Sequence, residues 1–174
     1  MFRAFVFGVL ATIFAAVVCG YMVVYRGLIP ANADASPGWL ELETWAAGTS
    51  LDATLHREAQ SSNPVEISDD NLLAAIKLYG QYCAICHGTA KGDPSASPVA
   101  RGLYPQPPQL ATDGVEGDPE GFSFWKIKHG IRWTGMPSWK NTLTDQQIWI
   151  LAMFLKHMDK LPPAAEQAWQ KVTN

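Results

Sequence analysis

The sequence predicts an all-α protein, a small helical domain preceded by a single N-terminal transmembrane helix. Three observations predict it. No charged residue lies between Arg3 and Arg26. Two later segments repeat apolar residues at helical spacing behind recognisable N-caps. No segment shows the strict alternation of a half-buried strand. At 174 residues the chain holds one compact domain of about 100 to 150 residues plus attachments, and no internal repeat is visible.

The first element, over residues 1–26, is the anchor. Ala4 to Tyr25 as a helix at about 1.5 Å per residue spans about 33 Å, enough to cross a bilayer. Phe5, Val6, Phe7, Val9, Leu10, Ile13, Phe14, Val17, Val18, Met22 and Val23 leave no polar face, which a core helix of a soluble domain would show. Ala31-Asn32-Ala33 is a small-residue pattern of the signal-peptidase kind. Against cleavage, the apolar run exceeds the roughly 7 to 15 residues of a signal h-region, and the Ala-x-Ala lies several residues beyond it. A retained anchor is the favoured reading. Arg3 and Arg26 flank the span one against one, so charge gives no orientation. Cys19 reads as an inert thiol inside the run, since Ala16-Val17-Val18 lacks the small residue expected before a lipoprotein cysteine.

Residues 27–68 mix Pro30, Pro37, Gly38, Gly48 and Pro64 with Ser, Thr and Asn, and read as a linker with short helices. Ser36-Pro37 resembles an N-cap with proline in the first turn, opening a segment with Trp39, Leu40, Leu42 and Trp45. Ser50 is expected to cap a second short helix through Gln60. The domain follows over residues 69–162. Ser68 caps its first helix and Asp69 and Asp70 favour the positive helix end. Leu72, Leu73, Ile76, Tyr79 and Ala75 form the apolar stripe, which runs into Cys83. The last helix opens with a Thr144 to Gln147 capping box and runs from about Asp145 to Met158. Ile148, Trp149, Leu151, Ala152 and Leu155 face inward, and Pro162-Pro163 stops it, leaving residues 163–174 as a C-terminal tail.

Composition narrows the chemistry. A formal net charge of −3, from 13 basic and 16 acidic residues, gives no basic surface for nucleic acid. Seven Trp, five Tyr and seven Phe suit a domain that wraps a flat apolar ligand, or supply a core and a membrane-interface belt. Three cysteines are not a disulfide framework. Cys83-Ala84-Ile85-Cys86-His87 instead has the spacing of covalent haem c attachment. The two intervening residues let both sulfurs reach one edge of the macrocycle, and the adjacent histidine offers a nitrogen to iron. A thioredoxin-like dithiol would need an α/β context that is absent. Zinc would need four ligands, and His56, His129 and His157 are not paired at ligand spacing. One covalent haem c is expected. Its attachment requires reduced thiols on the outer side of an energy-transducing membrane, so the domain is expected in the periplasm and the N-terminus in the cytoplasm.

The sixth ligand is expected from Met136. Met1 and Met22 belong to the anchor, and Met153 and Met158 read as packing residues of the last helix. Met136 stands in Gly130-Ile131-Arg132-Trp133-Thr134-Gly135-Met136-Pro137, where Gly135 permits close backbone approach and Pro137 stiffens the chain. A thioether there raises the potential, as suits an electron carrier. His129, the rival donor, reads as the end of a short helix begun near Phe122. Arg101, Arg132, Trp139 and Lys140 are candidate neighbours of the anionic propionates.

Cys83 to His87, the turn Gly102-Leu103-Tyr104-Pro105-Gln106-Pro107-Pro108 and the loop Thr134-Gly135-Met136-Pro137 together resemble the class I cytochrome c family, in particular bacterial membrane-anchored monohaem members. The resemblance covers roughly Asp69 to Pro162. It implies that the first and last helices cross at Ala75 and Tyr79 against Trp149 and Met153, with Ala75 where the family usually has glycine. It also implies that a proline-loop carbonyl holds the ring N–H of His87; Pro105, Pro107 and Pro108 are all candidates.

The function expected is single-electron transfer between respiratory-chain components at the inner membrane, with no reaction catalysed by the chain alone. Expected partners are the membrane itself and redox proteins such as a quinol-oxidising complex, a dehydrogenase or a terminal oxidase. A permanent subunit of such a complex is a variant of this reading. The alternative is a haem-based gas sensor or peroxidase-like protein in which Met136 leaves the iron.

Overall fold

A computed structural model describes residues 1–29, 32, 41–59, 62–91 and 97–173. The expected cap at Ser36-Pro37, Trp39, Leu40, Gln60 and both alanines of Ala31-Asn32-Ala33 lie outside the described residues. Among the described residues every regular element is a helix. The chain divides into two compact units, Met1–Ser36 and Pro37–Asn174.

The first unit is built on α1, Phe2–Tyr25. Its 24 residues extend about 36 Å at 1.5 Å per residue, and none is buried by protein. Cys19 is accordingly a free, exposed thiol on its surface. Among the described residues α1 alone is long and apolar enough to cross a membrane, a property that a membrane anchor and a signal sequence share.

In the second unit α2, Glu41–Glu58, is one continuous helix. Ser50, expected to start a separate helix, lies inside it, and its carbonyl accepts the Thr54 hydroxyl at 2.8 Å. The polar Gly48-Thr49-Ser50 stretch therefore lowers helix propensity without ending the helix. The C-terminal half of α2 rests on the domain: Leu55 is buried, and the His56 ring meets Phe122 edge-on at 5.1 Å.

The core is a helical cluster around α8, Asp145–Lys156. It packs on α3, Asp69–Tyr82, and on α7, Glu120–His129, while α9, Pro163–Trp169, packs on α3. Local signals start these helices. The Ser68 hydroxyl accepts from Asn71 N at 3.2 Å, and both halves of the Thr144–Gln147 capping box form. In α3 the buried residues are Leu72, Ala75, Ile76 and Tyr79. Leu73, expected in that stripe, is exposed, because one residue's 100° turn carries it off a face already filled at i, i+3, i+4 and i+7. In α8 every residue from Ile148 to Leu155 is buried, more than the one face expected, because neighbouring helices cover several of its sides. The helix ends at Lys156, short of Met158, which is nonetheless buried.

The expected C-terminal tail contains α9. Pro162-Pro163 ends one element and starts the next, since proline is at home in a first helical turn. Trp169 lies 5.1 Å from Tyr79 and 5.2 Å from Phe154, and Tyr79 and Phe154 are 5.6 Å apart, all edge to face. Such pairs add about 0.5–1.5 kcal/mol each beyond burial. The triad fixes the end of α3 from which the Cys83 segment departs.

Candidate cofactor site

Cys83 is a hinge between two helices. Its N–H still donates to Tyr79 O at 2.8 Å, closing α3. Its carbonyl accepts from Cys86 N at 3.0 Å and His87 N at 2.9 Å, opening the single turn α4, Ala84–His87. Both thiols and the histidine thus share one turn. The Tyr79 hydroxyl donates back to His87 O at 3.2 Å and Gly88 O at 3.0 Å. Desolvation raises the Tyr79 pKa, so the phenol stays a proton donor.

His87 Nδ1 lies 2.9 Å from the Pro108 carbonyl. A carbonyl only accepts, so Nδ1 carries the proton and Nε2 keeps its lone pair. Burial holds the His87 pKa below its usual value, opposed by the bond to Pro108, and the imidazole is neutral at pH 7. Among the three candidate prolines the structure thus selects Pro108. The loop is tied to the turn at further points. The buried Gln109 carboxamide donates to Cys86 O at 3.1 Å and Pro107 O at 3.4 Å. The Ser97 hydroxyl donates to Ile85 O and accepts from Ala100 N at 3.2 Å, capping α5, Pro98–Arg101. Gln109 itself precedes α6, Leu110–Asp113.

Met136 comes from the loop after α7. Ile131 N donates to Met136 O at 3.2 Å, and Met136 N to the Thr134 hydroxyl at 3.1 Å. Gly130 makes this closure possible: its φ is +68, and a Cβ there would lie 2.7–2.8 Å from backbone atoms of Met136, Pro137 and Ser138. Gly135 abuts Leu103, whose side chain would be 2.6 Å from an added Cβ, so this loop touches the segment after α5. Half-buried Met136 and Cys83 pack against the same core. His129 ends α7, its ring 4.8 Å from Trp125. Of the expected propionate neighbours, Trp139 is half-buried beside Tyr82, 5.1 Å between rings, and Arg101, Arg132 and Lys140 are exposed.

The donor chemistry fits a haem c group: two thiols on one turn, a neutral imidazole with one committed nitrogen, and a thioether on a closed loop. It fits a reactive dithiol poorly. Desolvation, with the Cys86 thiol adding to it, pushes the Cys83 thiol up to about 12, and desolvation also raises Cys86; redox-active thiols are shifted the other way. Among the described residues no group of three or more His, Cys, Asp or Glu could hold a metal ion. Sequence reasoning missed Tyr79 OH, Ser97 and Gln109, whose roles come from contacts between separate elements; only the nearness of Gln109 to the candidate prolines hinted at any of them.

Residues 70–155 match the family described as cytochrome C oxidase, cbb3-type, subunit III. No curated protein matches the chain. Among solved structures it is similar to the reducing HAO-like protein complex of Kuenenia stuttgartiensis, with 21% identity and a TM-score of 0.47. The likeness covers 56% of this chain and 48% of that one, so the chain spans about half the length of its structural relative.

Proposed function

We propose, from the premise that this chain belongs to the c-type cytochrome family, that it is a membrane-anchored, monohaem electron carrier. Cys83 and Cys86 would hold one haem covalently, and His87 and Met136 would ligate its iron. The observation that carries the reading is the 2.9 Å bond from His87 Nδ1 to Pro108 O. It commits one ring nitrogen and leaves the other for iron, on the same turn as both thiols.

Bound haem supplies a one-electron Fe(III)/Fe(II) couple. The chain's own residues do the rest. Pro108 orients the imidazole, Tyr79 holds the backbone of the turn that carries it, and the Met136 thioether would be the second donor to iron, which favours the ferrous state. The 24 residues of α1, more than the roughly 7 to 15 of a signal h-region, support a retained anchor, which confines diffusion to the plane of the inner membrane. The haem domain then faces the periplasm and exchanges electrons with a quinol-oxidising complex, a dehydrogenase or a terminal oxidase, as a free carrier or a fixed subunit.

The purified protein is expected to show a low-spin spectrum with a Met-sulfur-to-ferric-iron band and no carbon monoxide binding. A five-coordinate, high-spin spectrum would sink the carrier reading in favour of a gas sensor or peroxidase-like protein. Replacing both cysteines, Cys83→Ala with Cys86→Ala, should abolish covalent haem on a denaturing gel; retained covalent haem refutes the attachment. Intact mass after gentle detergent extraction tests the anchor, and a mature N-terminus just after Ala33 overturns it.

A further inference from the structure

The peptide unit joining Pro108 to Gln109 is hydrogen-bonded at both ends. Its carbonyl accepts from His87 Nδ1 at 2.9 Å. Its N–H donates to Asp113 Oδ2 at 2.7 Å, the short distance of a charge-assisted bond. A peptide is a resonance unit, so a carboxylate drawing on the N–H shifts electron density onto the carbonyl oxygen. Hydrogen bonds in series strengthen one another in this way. The result is a continuous path from the Asp113 carboxylate, through one peptide, to the imidazole ring.

The neighbouring contacts hold that path in register. The Gln109 side chain joins Cys86 O to Pro107 O, one position before the pair joined by His87 and Pro108. Both neighbours of its nitrogen are carbonyls, which fixes the orientation of the amide. Asp113 N returns a bond to Gln109 O at 2.8 Å. The loop is thereby braced on either side of the Pro108 carbonyl.

We propose that Asp113 is a positioning residue for His87, acting through the Pro108–Gln109 peptide to strengthen the ring N–H bond and make the imidazole a better donor. A stronger donor favours ferric iron, so Asp113 holds the potential down. The inference rests on His87 being an iron ligand. The plainer role for Asp113, a cap for the short α6, predicts an effect on stability alone.

The two roles separate in the full-length holoprotein carrying Asp113→Asn, which keeps an acceptor for Gln109 N–H and removes the charge. Covalent haem should be unchanged, while the midpoint potential rises, seen as a several-fold higher reduced-to-oxidised ratio at fixed ambient potential. The His87 Nδ1–H resonance of the reduced protein should move upfield. Both changes should persist near 0.5 M salt, where screening acts within about 4 Å. Unchanged potential and resonance, or shifts present only at low salt, overturn the proposal. Should this variant not fold, Asp113→Ser, which keeps an oxygen acceptor without the charge, decides: a raised potential with an upfield His87 Nδ1–H resonance supports the proposal, and wild-type values of both overturn it. Wild-type protein without covalent haem sinks the haem reading and this inference together, whereas haem-loaded wild type with an indifferent Asp113→Asn variant sinks only the inference.

Discussion

The segment bearing His87 and the loop bearing Met136 are built on opposite plans. Around His87 the ties come from several separate elements: the Tyr79 hydroxyl from α3, the Ser97 hydroxyl before α5, and, 21 and 23 positions from their partners, the Pro108 carbonyl and the Gln109 carboxamide. Around Met136 they are mostly local, from Ile131 and Thr134, with Trp139 N reaching Ile127 O at 3.1 Å. That loop also holds two residues in the left-handed region, Gly130 at φ +68 and Trp133 at φ +61. Trp133 is 78% exposed, so little packing offsets a cost of about 1–2 kcal/mol for a residue with a Cβ there. The histidine side is over-determined by tertiary contacts, and the methionine side rests on its own backbone geometry.

The largest test of this contrast removes the thioether. Met136→Ala should leave covalent haem and the His87–Pro108 bond intact, because none of the ties on that side involves Met136. Redox titration should show a lower potential, and carbon monoxide should now bind. Loss of attached haem from this variant would break the contrast, since it would make the histidine side dependent on the loop.

What the sequence disclosed follows the same division. Ser68, the Thr144–Gln147 box and the five residues from Cys83 to His87 are signals carried within a turn or two, and each can be read without knowing the fold. The choice among Pro105, Pro107 and Pro108 could not be read, because a bond spanning 21 positions makes it. Gln109 and Cys86 are joined across 23 positions, and neither residue type marks the pairing. Helix α9 was hidden for another reason: Pro162-Pro163 is equally a stop and a start, and only the buried Trp169 beside Tyr79 and Phe154 decides between them.

A smaller perturbation strains the methionine loop without touching its sulfur. Gly130→Ala places a Cβ at positive φ and within 2.7–2.8 Å of backbone that cannot swing aside. Unfolding by denaturant should show a loss of about 2 kcal/mol or more. The Met-to-iron band should weaken while haem stays attached. An intact band at wild-type stability would mean that the loop adapts, and that its backbone is less demanding than its geometry implies.

The smallest expected effect lies on the histidine side, where Tyr79→Phe removes one hydroxyl and keeps the ring. The aromatic contacts with Phe154 and Trp169 remain, so the change isolates the two bonds to His87 O and Gly88 O. Leaving buried carbonyls short of a donor costs about 1–3 kcal/mol, and the lower half of that range is expected because the two oxygens share a single hydroxyl proton. Thermal unfolding should register the loss. The optical spectrum should not change, because Pro108 still holds the imidazole and Gln109 still holds the turn at Cys86 O. A spectral change with this variant would show that redundancy on the histidine side is only apparent, and that the Tyr79 hydroxyl alone sets the position of the turn.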